Sequence, residues 1–125
     1  EQAARLARHS VDEATFASPY GITTLAKDEK MFDLSVTNNP SNWLGPIWIV
    51  ANYVVFRGLL RYGYRDEARR IMDGTLRLLA ADVETTGQLH EYYDPFNGRP
   101  IMNGGFINWN ILALSMWKEW EAGEC

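Results

Sequence analysis

Ile47-Trp48-Ile49-Val50-Ala51-Asn52-Tyr53-Val54-Val55-Phe56-Arg57-Gly58-Leu59-Leu60-Arg61-Tyr62 is the run from which the fold is read. It ends at Gly63, which suits the position just past a helix because it accepts a left-handed backbone. Gly45-Pro46 fits a first helical turn, with Ser41 or Asn42 opening the segment. A helix that opens at Ser41 or Asn42 and continues from Ile47 to Tyr62 is therefore predicted. Its apolar residues fall on every side, and Asn52 is the only polar one before Arg57. A helix of that kind belongs in an interior, buried all round.

The segments on either side differ in kind. Downstream, Arg65 to about Val83 carries Ala68, Ile71, Met72, Thr75, Leu76 and Leu79 on one stripe and charges on the other face, as an outside helix does. Asp66 with Arg70, and Asp73 with Arg77, are spaced four apart and predict solvated pairs of roughly 0.2–0.5 kcal/mol each. Phe106 to about Trp120 is apolar nearly all round again, and reads as a second buried helix. Upstream, Ala3, Leu6 and Ala7 within Glu1–His9 mark an amphipathic helix whose beginning is expected to lie before residue 1. Ser18-Pro19-Tyr20-Gly21 leads into an extended Ile22–Leu25, and residues 26–40 read as loop.

The order is thus amphipathic, buried, amphipathic, buried. Helix pairs in two concentric layers satisfy it, because inner helices of a toroid touch neighbours on both sides and an outer ring behind. A four-helix bundle would make all four amphipathic. The fold class expected is all-α, helix hairpins of a toroid. Two pairs take up the whole chain and a closed ring needs several more, so the barrel is incomplete here: either more of it lies upstream, or copies associate.

Between the third and fourth helices lies Gly87–Trp109, broken by Asp94-Pro95, Asn97-Gly98, Arg99-Pro100 and Gly104-Gly105. Neither a continuous helix nor a central strand can run through it. Loops this long are usually functional or disordered, and Tyr92, Tyr93, Phe96, Phe106 and Trp109 make it too aromatic for disorder. One carboxylate, Glu91, stands among them; the loop reads as a sugar site.

Composition excludes other classes. The chain has 125 residues, 46% of them hydrophobic, enough for one core and too few for two ordinary domains. Its net charge is −4, with Lys and Arg scattered, so a nucleic-acid footprint is missing. The apolar run 46–56 falls short of the ~20 residues of a membrane span, so no membrane partner is expected. The N-terminus lacks the apolar core of a signal peptide. Cys125 is the sole cysteine, which is silent about compartment. With it, His9 and His90 have no metal-ligand spacing, so neither metal nor organic cofactor is predicted.

The blocks Asn42-Trp43-Leu44-Gly45-Pro46-Ile47-Trp48, Asn52-Tyr53, Arg57-Gly58-Leu59 and Tyr62-Gly63, then Glu91-Tyr92-Tyr93-Asp94-Pro95 with Gly98, Phe106 and Trp109, carry a resemblance. They resemble the C-terminal part of the (α/α)6-barrel catalytic domain of glycoside hydrolase family 63. That family includes processing α-glucosidase I, bacterial α-glucosidases and mannosylglycerate hydrolases, and is similar to the trehalases. The match runs from Pro19-Tyr20-Gly21-Ile22 to Trp120. The resemblance implies one domain over residues 1–125, the C-terminal portion of such a barrel. It also implies inverting hydrolysis of an α-glycosidic bond, with Glu91 as general base and an oligo- or disaccharide as substrate. The acid it implies is an Asp upstream, and no stretch here matches it. Leu44 stands where the family often has Arg, and Asn108 and Asn110 where it commonly has Gly.

Each candidate has a plainer alternative. Most loop glutamates are merely solvated; inversion, by contrast, needs two carboxyls roughly 6.5–9.5 Å apart with a water on one of them. Trp43, Trp48, Tyr93, Phe106 and Trp109 are candidates to stack on pyranose rings, or they are core; Trp43 and Trp109, at helix starts where a toroid opens, favour the site. Trp117 and Trp120 are assigned to packing. Asn52 must be hydrogen-bonded, to a sugar hydroxyl or to the chain. Asp94 predicts an Asx turn, and Asp28, Glu29 and Asp33 a solvated loop. The function expected is an inverting, glucosidase-like glycoside hydrolase, or a fragment of one that is inactive by itself. The alternative is a non-catalytic carbohydrate-binding or assembly module derived from such a barrel. Self-association through the apolar inner helices is also expected.

Overall fold

The computed structural model describes residues 1–35 and 41–123; the end of the 26–40 loop and Cys125 lie outside them. Four helices carry the fold: α1 (Gln2–Val11), α2 (Ile49–Arg61), α3 (Arg65–Thr86) and α4 (Leu112–Ala122). Two small antiparallel pairs join them. β1 (Ala17–Ser18) pairs with β2 (Gly21–Ile22), and β3 (Tyr92–Tyr93) with β4 (Pro100–Met102). Among the described residues no helix is long and apolar enough to cross a membrane.

α2 and α3 form a tight antiparallel hairpin. α2 stops at Tyr62 because Gly63 turns left-handed, with φ +81°, and α3 follows with Asp66 and Glu67 in its first turn, the acidic residues that a helix N-terminus favours. One core cluster joins α1, α2, α3 and α4 through Ala7, Phe56, Leu60, Ile71, Met72 and Met116. A second, nearer the long loop, gathers Ile47, Ile49, Leu78, Leu79, Tyr93 and Ala113.

Asn52 staples the hairpin to the β1–β2 turn. Fully buried, it accepts from the Ile22 N–H (2.9 Å) and donates to Thr75 Oγ1 (2.9 Å) and the Tyr20 carbonyl (3.3 Å). That removes it from the sugar-binding set: its amide is taken up within the chain. The β1–β2 turn lies so close to α3 that a Cβ on Gly74 would sit 2.9 Å from the Gly21 nitrogen and the Pro19 oxygen.

Several expectations are corrected. α2 begins at Ile49, not at Ser41 or Asn42, because residues 45–48 are not helical: Gly45 takes a positive φ of +139°, open to glycine, and Trp48 is extended at φ −116°, ψ 127°. Ile47 instead exchanges backbone hydrogen bonds with Tyr93 (2.8 and 3.1 Å). α4 begins at Leu112, after a 3-10 turn at Trp109–Ile111, instead of at Phe106. The long loop, as expected, holds no continuous helix and no central strand, only the short two-stranded pair β3–β4. Asp73 pairs with Arg69 (3.4 Å), and Arg77 donates to the Pro19 carbonyl (2.6 Å), in place of the predicted Asp73–Arg77 pair.

Neither inner helix is buried all round in this chain. Val54 on α2 is 63% exposed and Leu114 on α4 61%. Trp117, assigned to packing, is half exposed. An apolar groove of about 380 Å³ opens between α1 and α2, lined by Leu6, Phe16, Val54, Leu59 and Tyr62 among others. Trp120 does pack, at the edge of the first cluster, with the Arg65 guanidinium 4.5 Å from its ring centroid.

Candidate active site

Glu91 sits at the start of the β3–β4 hairpin, 8% exposed. Local chemistry shapes that hairpin. Asp94 makes the expected Asx turn, accepting from the Phe96 N–H (2.7 Å), and closes the loop by bonding Arg99 O and Gly98 N–H (2.9 Å each). The Glu91 N–H donates to the Met102 carbonyl (3.1 Å). Opposite the carboxylate, Asn103 takes a left-handed backbone (φ +55°) and its amide donates to Glu91 Oε2. Glu91 Oε1 has no partner among the described residues and is not one of the sealed, unpartnered atoms, so it opens to solvent.

Behind the loop lies a buried carboxylate that the sequence reading passed over. Asp82, on α3, is 3% exposed. Its Oδ2 accepts from the Tyr93 hydroxyl (2.7 Å) and lies 2.8 Å from His90 Nδ1, while the Thr86 hydroxyl is 2.9 Å from Oδ1. The His90 N–H donates to the same Tyr93 hydroxyl (2.9 Å). The chain is therefore held immediately before Glu91 and two residues after it. Burial pushes the Tyr93 phenol well above the usual tyrosine range, and its bond to Asp82 adds to that. A sequence signal for Asp82 exists: it extends the buried α3 stripe through Thr75 and Leu79, one turn further along.

The aromatic candidates divide. Trp43, 43% exposed, stacks on Trp48 at 3.7 Å between centroids; Trp48 stacks on Tyr92 at 5.1 Å and lies 6.1 Å from Trp109, which is 5.9 Å from Phe106. Trp48, buried, is the backing of this cluster, anchored by its indole N–H to the Asn42 carbonyl (2.8 Å). Trp43 is exposed, and Phe106 and Trp109 are half-buried. Tyr93 is corrected: fully buried and bonded to Asp82, it presents no face to a sugar, and Tyr92, its neighbour, is the residue in the stack. In the 3-10 turn that leads into α4, Asn110 donates to the His90 carbonyl (2.7 Å), tying that turn to the residue before Glu91. Buried Trp109 Nε1 and Asn110 Oδ1 lack hydrogen-bond partners among the described residues.

A buried carboxylate with one bonded oxygen and one open to water, beside a bank of flat rings, can take a proton from a water held against a sugar. The chain is similar to the mannosylglycerate hydrolase of Rubrobacter radiotolerans, 32% identical over 95 residues, which are 76% of this chain and 20% of that protein. It is similar also to the mannosyl-oligosaccharide glucosidase GCS1 of Arabidopsis thaliana, 29% identical over 112 residues, 82% of this chain and 13% of that one. The crystal structure of GH63 mannosylglycerate hydrolase from Thermus thermophilus in complex with Tris and D-glycerate superposes with TM-score 0.71 and 28% identity, over 94% of this chain and 26% of that chain. This chain therefore spans a fifth or less of the two curated relatives and about a quarter of the solved one. The architecture is all-α, helix hairpins of an (α/α)6 toroid that this chain leaves incomplete. The sequence model of the mannosylglycerate hydrolase MGH1-like glycoside hydrolase domain matches residues 1–110, and the chain belongs to that family.

Proposed function

We propose that these residues form the general-base half of an inverting α-glycosidase. Its substrate is an α-linked oligo- or disaccharide, or a sugar–glycerate. The observation that carries the reading is Glu91 itself, a buried carboxylate with one oxygen open to water, immediately before Tyr92 of the Trp43–Trp48–Tyr92 stack, against which Trp109 is tilted. The relatives named for mannosylglycerate hydrolysis and for oligosaccharide glucose removal support the substrate class.

In the mechanism, Glu91 accepts a proton from water as the water oxygen bonds the anomeric carbon. The bond from that carbon to the leaving oxygen breaks, and its electron pair stays with the oxygen. That oxygen must receive a proton from an acid outside these residues, because one carboxylate cannot serve both faces of the sugar. No organic cofactor enters the scheme. Trp43, Phe106 and Trp109 bind the ring, with Trp48 behind them.

The test is the Glu91→Gln variant in the full-length polypeptide that carries these residues. Gln keeps the shape and can still hydrogen-bond a water but cannot take its proton. Turnover of α-linked substrates should fall by ~10²–10⁴-fold while sugar affinity is retained. Undiminished turnover would remove Glu91 from the mechanism. The uncovered apolar faces of α2 and α4 support a second proposal, that this chain by itself associates.

A further inference from the structure

We infer that Asn103 is the positioning residue for Glu91: it holds Oε2, and so reserves Oε1 for the proton of the attacking water. The inference rests on Glu91 being the base.

The two oxygens of a carboxylate are chemically equivalent, and the last torsion of a glutamate is broad and roughly two-fold. Unless a fixed donor distinguishes them, nothing selects which oxygen faces the water, and the carboxylate plane is free to swing. Here the donor is fixed. The Glu91 N–H bonds the Met102 carbonyl, so the residue that follows Met102 is delivered beside the Glu91 side chain, and Asn103 bonds Oε2. Oε1 is left open to solvent.

The residue type fits the task in two ways. At φ +55° most side chains are strained, and Asn is among the few that tolerate the left-handed region. Its amide is also a neutral donor. A Lys or Arg in its place would stabilise the carboxylate form and make it a weaker proton acceptor, whereas Asn orients the group without adding charge. Gly, by contrast, would take the backbone and leave the carboxylate without its donor. Nothing in the sequence marks Asn103, since it lies outside the Glu91–Pro95 block and reads as one more turn residue before Gly104-Gly105.

Three variants of the full-length polypeptide separate backbone from hydrogen bond: Asn103→Gly, Asn103→Asp and Glu91→Gln. Gly and Asp both accept the left-handed turn, so melting temperature and KM should stay near wild type for both. Asp has the shape of Asn but turns an acceptor and a negative charge toward Oε2. With the α-glycoside that the wild type turns over fastest, kcat should fall by ~10–10²-fold in both Asn103 variants, the scale of a misplaced catalytic group. Wild-type kcat in both, with Glu91→Gln inactive, would overturn the role of Asn103 and leave that of Glu91 standing. Full kcat in the Asp variant with loss in the Gly variant would mean that shape acts instead of donation, which also overturns it. Full turnover in Glu91→Gln would overturn both assignments together.

Discussion

At the scale of single residues, the site is organised outward from the buried side chain of Asp82. Asp82 gathers Tyr93, His90 and Thr86, and satisfied polar networks of this kind hold a chain segment in one geometry because each member left unpaired would be costly in a low-dielectric interior. Tyr93 is the central member, donating to Asp82 and accepting from the His90 N–H. Its phenol is raised by burial, so the folded protein retains the neutral form where the unfolded chain ionises. The stability this contributes is complete below the ordinary tyrosine value of about 10 and is lost as pH rises beyond it. Melting temperature should therefore fall through the alkaline range less steeply in Tyr93→Phe than in wild type, as followed by circular dichroism. Identical slopes would mean that Tyr93 is not neutral and buried as described.

At the scale of elements, packing overrides propensity in α2 and α3. Gly is a poor helix former, by roughly 1 kcal/mol against Ala, so both Gly58 and Gly74 look improvable from sequence. They are opposite cases. A Cβ on Gly58 meets nothing within 4 Å, whereas one on Gly74 meets backbone of Pro19 and Gly21 at 2.9 Å, which cannot move aside as a side-chain tip could. Gly58→Ala should stabilise by about 0.5–1 kcal/mol, and Gly74→Ala should destabilise, by about 1–3 kcal/mol for an overpacked site. Urea unfolding of the two variants would show the opposite signs. A stabilising Gly74→Ala would mean that the β1–β2 turn does not lie against α3. The start of α2 follows the same logic, since Ile47 pairs with Tyr93 and so delivers Trp48 against Tyr92.

At the scale of the whole molecule, two apolar faces lack a cover among the described residues. One is the groove between α1 and α2, and the other runs along Ile107, Ile111, Leu114 and Trp117, each about half exposed or more. Contiguous exposed patches beyond a few hundred Å² generally mark contact surfaces. The 125-residue chain expressed by itself should therefore elute as an assembly by size exclusion with light scattering, and Leu114→Lys with Val54→Lys should shift it toward monomer. A well-behaved wild-type monomer would mean that these faces need no partner.

Sequence alone determined what depends on near neighbours. The helical runs, the glycine stop at Gly63, the Asx turn at Asp94, the loop around Glu91 and the blocks that placed the family were all legible there, because periodicity, turn chemistry and motif spacing are properties of adjacent residues. Tertiary structure alone decided which polar groups meet. Asn52 bonds Ile22 thirty residues away in the chain, so its amide faces the β1–β2 turn and not a sugar. Tyr93 and Tyr92 are adjacent and identical in type, yet one is bonded to Asp82 and the other stacks on Trp48. A strand sends alternate side chains to opposite faces, and which face is which depends on where α3 and residues 47–48 come to lie. Asn103 belongs to the same class: its meeting with Glu91 follows from the register of β3 on β4, a closure of the chain that no local pattern encodes.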